Sequence, residues 1–230
     1  IIPCYNEQST IKKIIEKINS IKDLNKEIIV IDDNSTDQTR EILQNELKES
    51  IHKIVFNEKN YGKGYSIRKG IEVSSGDCIL IQDADLEYDP SDYNNLLSPI
   101  FNNIADVVYG SRFIGSSEKR VLYFWHTVGN KFLTLLSNMF SNLNLTDMEV
   151  GYKVFRSDVI KNIFLKENRF GFEPEITAKI AKQNIRIYEV GIKYFGRKYS
   201  EGKKITWKDG FSAIRLSLIH ISEPTRRRTI

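Results

Sequence analysis

The chain has 230 residues, of which 40% are hydrophobic and 28% are charged, an ordinary composition for a folded domain with one substantial core. Cys4 and Cys78 are too few for a disulfide framework and lack metal-site spacing, and no apolar run reaches the roughly 20 residues of a membrane span. The net charge of +4 would suit a phosphate-rich ligand or an anionic membrane surface.

The first half of the chain alternates strand-like and helix-like stretches. Isoleucines repeat with helical spacing over residues 10–23. Further elements are predicted as a strand at 28–31, a helix from Ser35 to about Lys48, a strand at 52–56, a helix at 64–73, a strand at 77–82, a helix from Pro90 and a strand at 106–109. The pair Ser35 and Gln38 has the spacing of a capping box. The β-α-β units predict an α/β fold with a mostly parallel central sheet and helices on both faces.

The second half is less regular. Residues 121–145 carry large apolar side chains interrupted by polar ones, which predicts an amphipathic helix or helix pair that packs in the core or docks on a membrane. We predict a strand at 149–155, a helix at 174–183, a strand at 186–195, a basic loop at 196–204 and a helix from Trp207. Residues 218–230 are interpreted as a non-native tail, and Ile1-Ile2-Pro3 as the end of a truncated first strand. The rest, 1–217, is expected to form a single domain.

The predicted strand at 77–82 runs into three carboxylates, those of Asp83, Asp85 and Glu87. In an extended chain, residues i and i+2 point to the same face, so these side chains are expected to crowd together at the strand end. Three unpaired carboxylates would repel one another, and a bound Mg²⁺ or Mn²⁺ would relieve that repulsion. The alternative is a strand that ends in a polar turn.

Six motifs in this order resemble those of the family 2 glycosyltransferases of the GT-A fold, which is Rossmann-like, and in particular the dolichyl- and polyprenyl-phosphate glycosyltransferases. They cover about residues 1–200. The motifs are Pro3-Cys4-Tyr5-Asn6-Glu7, Ile31-Asp32-Asp33-Asn34-Ser35-Thr36-Asp37, Asn60-Tyr61-Gly62-Lys63-Gly64, Gln82-Asp83-Ala84-Asp85-Leu86-Glu87, Gly110-Ser111-Arg112-Phe113 and Asp147-Met148-Glu149-Val150-Gly151-Tyr152-Lys153.

The resemblance implies a site for a nucleotide-diphosphate sugar. The nucleotide-sugar contacts that it implies come from Pro3, Tyr5, Glu7, Asp33, Lys63, Asp83 and Ala84. Asp33 is expected to accept from the N–H edge of the base, which favours UDP or GDP donors, although Asp32 or Asp33 could instead cap the following helix. Lys63 lies between two glycines that would let the backbone approach the diphosphate. A divalent ion, Mg²⁺ or Mn²⁺, is expected on Asp83, Asp85 and Glu87.

The resemblance implies catalytic roles for Asp85, Arg112 and Asp147, of which Arg112 is expected to support the diphosphate or the sugar and Asp147 to belong to the acceptor side. A polyprenyl phosphate is already a dianion near neutral pH and needs cationic guidance more than a base. Arg197, Lys203 and Lys204 are expected to supply that charge, although a solvated basic loop would look the same.

We therefore expect an inverting, metal-dependent transferase that acts on a polyprenyl phosphate in peripheral contact with the cytoplasmic face of a membrane. No nucleic-acid partner is expected, and the oligomeric state is left open. A transferase of the same fold that acts on a sugar hydroxyl is one alternative, with Asp147, Glu173 or Glu175 as its base. A catalytically silent scaffold that binds a nucleotide sugar or lipid is the other.

Overall fold

The computed structural model describes residues 1–115, 120–121, 123–169 and 171–197. The strands are β1 (Ile2–Cys4), β2 (Ile29–Asp32), β3 (Lys53–Phe56), β4 (Cys78–Ile81), β5 (Val107–Ser111), β6 (Lys153–Arg156) and β7 (Ile187–Gly191). The α-helices are α1 (Ile11–Ser20), α2 (Thr39–Glu41), α3 (Lys63–Val73), α4 (Tyr93–Phe101), α5 (Phe124–Ser141), α6 (Ser157–Ile160) and α7 (Phe172–Ala181). The predicted α/β architecture is confirmed. The predicted helix from Trp207 and the tail 218–230 lie outside the described residues.

The strands form two sheets, which are joined by hydrogen bonds of Ile1. One sheet has the order β1-β2-β3 and is parallel, and the other has the order β4-β6-β5-β7, in which β6 runs antiparallel to both neighbours. The Ile1 amino group donates to the Leu80 carbonyl at 2.8 Å, and the Gln82 N–H donates to the Ile1 carbonyl at 2.9 Å. These two bonds align β1 with β4, so the segments that follow β1, β2 and β4 meet at one edge.

Buried branched side chains hold the helices against the sheets. The four isoleucines of α1 at positions 11, 14, 15 and 18 are buried, as the helical spacing predicts. All four residues of β2 and all five of β5 are buried, which fits strands covered on both faces. Among the helices of the described residues, none combines the length and apolar character that crossing a bilayer requires.

The helix after β2 and the strands β6 and β7 differ from their predicted bounds. The Ser35 N–H donates to the buried Asp32 carboxylate at 3.2 Å, so Ser35 belongs to the turn after β2 and does not cap a helix. The helix begins only at Thr39 and continues as a π-helical turn over Ile42–Glu46. Strands β6 and β7 are shorter than the predicted strands at 149–155 and 186–195. The stretch at 121–145 contains one helix, α5, which is the first of the two predicted alternatives.

The glycine-rich loop before α3 packs against residues 167–169. Gly62 has a φ of +105°, and a Cβ there would lie 2.5 Å from the Asn168 carbonyl oxygen. A Cβ at Gly64 would collide with the Glu167 carbonyl oxygen. The Tyr65 N–H donates to the Asn168 carbonyl at 3.0 Å. The glycines therefore make room for residues 167–169 of the same chain. The sequence pattern had instead suggested that they make room for a diphosphate.

Gly64→Ala is expected to destabilise the protein by about 1–3 kcal/mol, because the new methyl group meets backbone that cannot move aside easily. Gly129 in α5 is a matched control, since a Cβ there would meet nothing within 4 Å. Gly129→Ala should stabilise by up to about 1 kcal/mol through helix propensity. Urea unfolding measures both. Equal stability of the two variants would contradict the packing of this loop.

Candidate active site at the carboxyl edge of the sheet

The acidic turn that follows β4 does not present its three carboxylates on one face. The strand ends at Ile81, and Leu86 has a left-handed φ of +64°, so the alternation of an extended chain is lost. Asp83 Oδ1 lies 2.9 Å from Lys63 Nζ, whereas Glu87 accepts from the Tyr194 hydroxyl at 2.9 Å. The prediction of a single three-carboxylate face is wrong. Within the described residues, no group of three histidine, cysteine or acidic side chains is arranged to hold a metal.

Neither Asp85 nor Glu87 has a basic side chain as a partner among the described ion pairs, whereas Asp83 is paired with Lys63. The Asp85 carboxylate accepts from the Glu87 N–H at 3.1 Å. Burial, followed by the charges of Asp83 and Glu87, raises the pKa of Asp85 to about 7. A buried carboxylate next to like charges fits a cation as its missing partner, since Mg²⁺ and Mn²⁺ prefer such oxygen ligands. Asp83 and Asp85 therefore fit a divalent ion, and the position of Glu87 does not support a third ligand.

Charged side chains extend from this turn across the whole edge of the sheet. They are linked by ion pairs, hydrogen bonds or mutual effects on their pKa values. The carboxylates are those of Glu7, Asp83, Asp85, Glu87, Asp147, Glu149 and Glu173, and the basic groups are Lys63, Arg112, Lys153 and Arg197. Seven carboxylates therefore face four cations in the described part of the chain. We call this set the charge cluster, and its formal excess of three negative charges favours a cationic ligand.

Arg197 lies inside the charge cluster rather than on a free basic loop. Its guanidinium donates to Glu7 Oε2 at 2.8 Å and to the Asp85 carbonyl at 2.9 Å, and its N–H donates to Glu87 Oε1 at 2.7 Å. The contact of Arg197 with an acceptor phosphate stays a prediction, and Glu7 neutralises the guanidinium in this structure. Lys203 and Lys204 lie outside the described residues.

The loops after β1 and β2 hold each other. The Asn6 N–H donates to Ser35 Oγ at 2.9 Å, and the Thr36 N–H donates to Asn6 Oδ1 at 2.8 Å. Pro3 lies in β1 opposite Ile31, and Tyr5 is half-buried beside it. The buried Glu7 accepts from Thr10 Oγ1 at 2.7 Å in addition to Arg197. The structure thus brings Pro3, Tyr5 and Glu7 to the site edge, while their contacts with a nucleotide stay a prediction.

Asp33 has a structural role that the sequence did not indicate. Its carboxylate accepts from Asn57 Nδ2 at 2.8 Å, from the Tyr61 N–H at 3.0 Å and from the Gly62 N–H at 2.7 Å. A carboxylate has about four acceptor positions, so one remains for a base edge. Asp32 is the residue that holds the turn after β2, with Arg40 Nε at 2.6 Å from its carboxylate. The role of Asp33 at the base stays a prediction, and any variant there will also loosen the loop.

Lys63 is not a free cation for a diphosphate. Its ammonium lies between Asp83 Oδ1 at 2.9 Å and Glu173 Oε1 at 3.0 Å. Burial acts to lower the pKa of Lys63, but these two carboxylates outweigh it and the pKa lies well above its ordinary value. Ala84, another predicted contact, is buried. A diphosphate at this place would compete with two carboxylates for Lys63.

Arg112 and Asp147 form a buried pair. Arg112 Nε and Nη2 each lie 2.6 Å from an oxygen of Asp147, and the Arg112 N–H donates to the same carboxylate at 3.0 Å. Burial acts to lower the pKa of Arg112, but the charge of Asp147 raises it well above its usual value. Asp147 is fully buried. Asp147 cannot serve as an accessible base while both of its oxygens bind Arg112. Other catalytic roles of the two side chains stay a prediction.

A group of buried tyrosines positions the acidic turn, and sequence reasoning did not find it. The Gln82 amide donates to the Asp83 carbonyl at 2.9 Å, and its oxygen accepts from the hydroxyls of Tyr93 at 2.9 Å and Tyr152 at 2.5 Å. Tyr88 stacks on Tyr152 with ring centroids 4.7 Å apart. These residues come from separate segments, so only the position of Gln82 directly before the acidic motif could have indicated its role.

The comparisons with known proteins agree with this geometry. The family model described as Glycosyl transferase family 2 matches residues 1–164. A dolichol-phosphate mannosyltransferase of Pyrococcus furiosus is 27% identical over 212 residues, which are 89% of this chain and 59% of that protein. A UDP-N-acetylglucosamine–dolichyl-phosphate N-acetylglucosaminyltransferase of Methanococcus voltae is 27% identical over 230 residues, covering 92% of this chain and 90% of that one. The chain thus spans little more than half the length of the first of these relatives.

Among solved structures, the fold resembles a glucosyl-3-phosphoglycerate synthase from Mycobacterium tuberculosis, crystallised with Mn²⁺, UDP and glucosyl-3-phosphoglycerate. The TM-score is 0.72 at 19% identity, and the match covers 98% of this chain and 80% of that one. At this identity the likeness shows the fold alone. The family model covers well over half of the chain. The six motifs supply the residues of the site described above. The chain therefore belongs to glycosyltransferase family 2 and has the GT-A fold.

Proposed function

We propose that this protein transfers a sugar from a UDP- or GDP-sugar to a polyprenyl phosphate at a membrane surface, with inversion at the anomeric carbon and with Mg²⁺ or Mn²⁺. The observation that carries the proposal is the charge cluster, in which seven carboxylates face four cations beside the carboxyl ends of β1, β2 and β4. A structural scaffold would gain nothing from such an excess of buried negative charge. The names of the relatives, which include dolichyl-phosphate transferases, support the lipid acceptor.

The donor side rests on the acidic turn and the loop after β1. Asp83 and Asp85 would hold the divalent ion, which when bound supplies positive charge to the departing diphosphate. Lys63 adds a further cation that Asp83 and Glu173 orient. The Mn²⁺ and UDP found with the mycobacterial synthase agree with this assignment.

Two of the three candidate bases for a hydroxyl acceptor have both carboxylate oxygens occupied. Asp147 is held by Arg112, and Glu175 is fully buried and accepts from the Lys166 and Glu167 N–H groups at 2.8 Å each. Glu173 is buried, and one of its two oxygens is paired with Lys63. A sugar hydroxyl needs a base to attack, whereas a phosphate dianion does not. The described site therefore suits a phosphate acceptor better, with Lys203 and Lys204 still its predicted partners.

Helix α5 supports contact with a lipid surface. Its 18 residues contain no acidic side chain, and Phe124, Trp125 and Met139 are 70%, 77% and 67% exposed. Further exposed apolar residues on α5 are Val128, Phe132, Leu135 and Phe140. Most of them recur three or four residues apart, so they share one side of the helix. Such a side is stabilised by partial burial at a bilayer interface, and a lipid acceptor would be found there.

Transfer assays with matched acceptors test the function. Radiolabelled UDP-glucose, UDP-N-acetylglucosamine and GDP-mannose are offered with a short polyprenyl phosphate, with the corresponding polyprenol, and with an alkyl glycoside. We expect product with the phosphate alone, because the polyprenol lacks the charge that replaces a base. Transfer to a hydroxyl but not to the phosphate would favour the hydroxyl-acceptor alternative. Nucleotide-sugar binding without transfer to any acceptor would favour a silent scaffold.

The metal assignment is tested by thermal unfolding in titrations with Mn²⁺. At a hundredfold excess over its dissociation constant, a ligand adds about 2.7 kcal/mol, or roughly 5–10 °C for a chain of this size. We expect that shift for the wild type and its loss in Asp85→Asn. Without metal, Asp85→Asn should be at least as stable as the wild type, because it removes a buried like charge. Asp23→Asn, an exposed carboxylate, is the control. An undiminished shift in Asp85→Asn would remove Asp85 from the metal site.

Membrane contact is tested by sedimentation with vesicles of anionic phospholipid. Trp125→Ser and Met139→Ser should each weaken binding by about 1–2 kcal/mol, roughly tenfold, since each loses apolar area to bury. Phe101 on α4 is 63% exposed and serves as the matched control. Phe101→Ser should leave binding unchanged. If all three variants bind as the wild type does, α5 does not face the lipid.

A further inference from the structure

Two buried carboxylate oxygens in the charge cluster have no hydrogen-bond partner in the described chain. They are Glu149 Oε1 and Glu173 Oε2. Glu173 is only 4% exposed, and its other oxygen lies 3.0 Å from Lys63 Nζ. Buried polar atoms in folded proteins nearly always have a partner. These two oxygens therefore have the capacity to accept hydrogen bonds from a molecule other than this chain.

Both side chains lie next to the residues assigned to the donor. Lys63 joins Glu173 to Asp83, with 2.9 Å between Nζ and the Asp83 carboxylate. Gly151, two residues after Glu149, has no side chain where the Asp83 carboxylate lies, and a Cβ there would collide with it. The effect of Glu173 on Glu149 shows that the two carboxylates are also close to each other. Glu173 is thus linked to the acidic turn through Lys63, and Glu149 lies close to Glu173.

The surroundings favour a neutral donor of hydrogen bonds over an anionic group. Burial and then the charge of Glu173 raise the pKa of Glu149 to about 7. That direction means that further negative charge is disfavoured in this region. A ligand carboxylate would add to an existing excess of negative charge. Hydroxyl groups carry no charge and donate well to carboxylates.

We propose that Glu149 and Glu173 form the subsite for the transferred sugar, which they bind through ring hydroxyl groups, and that the subsite takes a neutral hexose and rejects a uronic acid. Glu173 is held in place by Lys63, so one of its oxygens positions the lysine and the other meets the sugar. This inference rests on the proposed function, because it assumes that a nucleotide sugar binds at the acidic turn.

Titration calorimetry in Mn²⁺ separates binding of the sugar from binding of the nucleotide. The ligands are UDP, UDP-glucose, UDP-N-acetylglucosamine and UDP-glucuronic acid, with GDP and GDP-mannose in parallel. The quantity compared is the ratio of the dissociation constants of the free nucleotide and its sugar conjugate. In the wild type we expect this ratio to exceed one for a neutral sugar. For UDP-glucuronic acid we expect a ratio no greater than one.

Glu149→Gln and Glu173→Gln should each lower that ratio about tenfold, or to one where the wild-type ratio is itself below ten. This is the loss expected when a hydrogen bond to a charged group is removed. Glu175→Gln is the matched control, since Glu175 lies on the same helix but both of its oxygens have partners within the chain. Its ratio should stay unchanged even if the variant is less stable. A ratio is not altered by general loosening of the fold, which weakens the nucleotide and its conjugate alike.

Each other result has a definite meaning. Unchanged ratios in Glu149→Gln and Glu173→Gln overturn the subsite while leaving the proposed function intact. Unchanged ratios with lost turnover in Glu173→Gln overturn it in favour of Glu173 as a catalytic base. Tight binding of UDP-glucuronic acid overturns the neutral-sugar specificity. If neither nucleotide nor nucleotide sugar binds, the proposed function fails, and the subsite fails with it.

Discussion

The buried excess of negative charge at the carboxyl edge of the sheet is the constraint on which the rest of the site depends. Three of the four basic groups of the charge cluster are already paired with carboxylates: Lys63 with Asp83 and Glu173, Arg112 with Asp147, and Arg197 with Glu7. The fourth, Lys153, donates to the Val150 carbonyl. Asp85 remains with like charges around it and a raised pKa. Removing one partner of a buried ion pair in this cluster would leave an uncompensated charge, which typically costs about 3–5 kcal/mol. A cation that enters would therefore contribute to binding and to stability together.

The internal ion pairs also change how the family motifs are understood in this chain. The first turn of α3 is a natural anion site, but its N–H donors near the glycine-rich loop are used by Asp33 and by the Asn168 carbonyl. Lys63 and Arg197, both expected to meet phosphate, are neutralised by carboxylates of the same cluster. A diphosphate or phosphate ligand would have to take over these cations from Glu173, Asp83 or Glu7, so ligand binding and rearrangement of the ion pairs are coupled.

Much of the fold could be predicted from local pattern. The isoleucine spacing of α1, the apolar runs of β2 and β4 and the alternation of strands and helices led to the α/β architecture and to the family. Local pattern was wrong in the two turns that follow β2 and β4. Asp32 holds the Ser35 N–H, so the capping box did not form, and Leu86 adopts a left-handed conformation, so the carboxylates of the acidic turn point to different partners.

The family, the layered α/β fold and the region of the chain that carries the chemistry could be predicted from the sequence, because motifs and hydrophobic periods are local properties of neighbouring residues. Which charges meet depends on the folded chain. Residues 7 and 197, 63 and 173, or 112 and 147 become partners through the order of the strands, and no spacing along the chain encodes those pairs. The same holds for the unpartnered oxygens of Glu149 and Glu173, since a missing partner is visible only when all neighbours are in place.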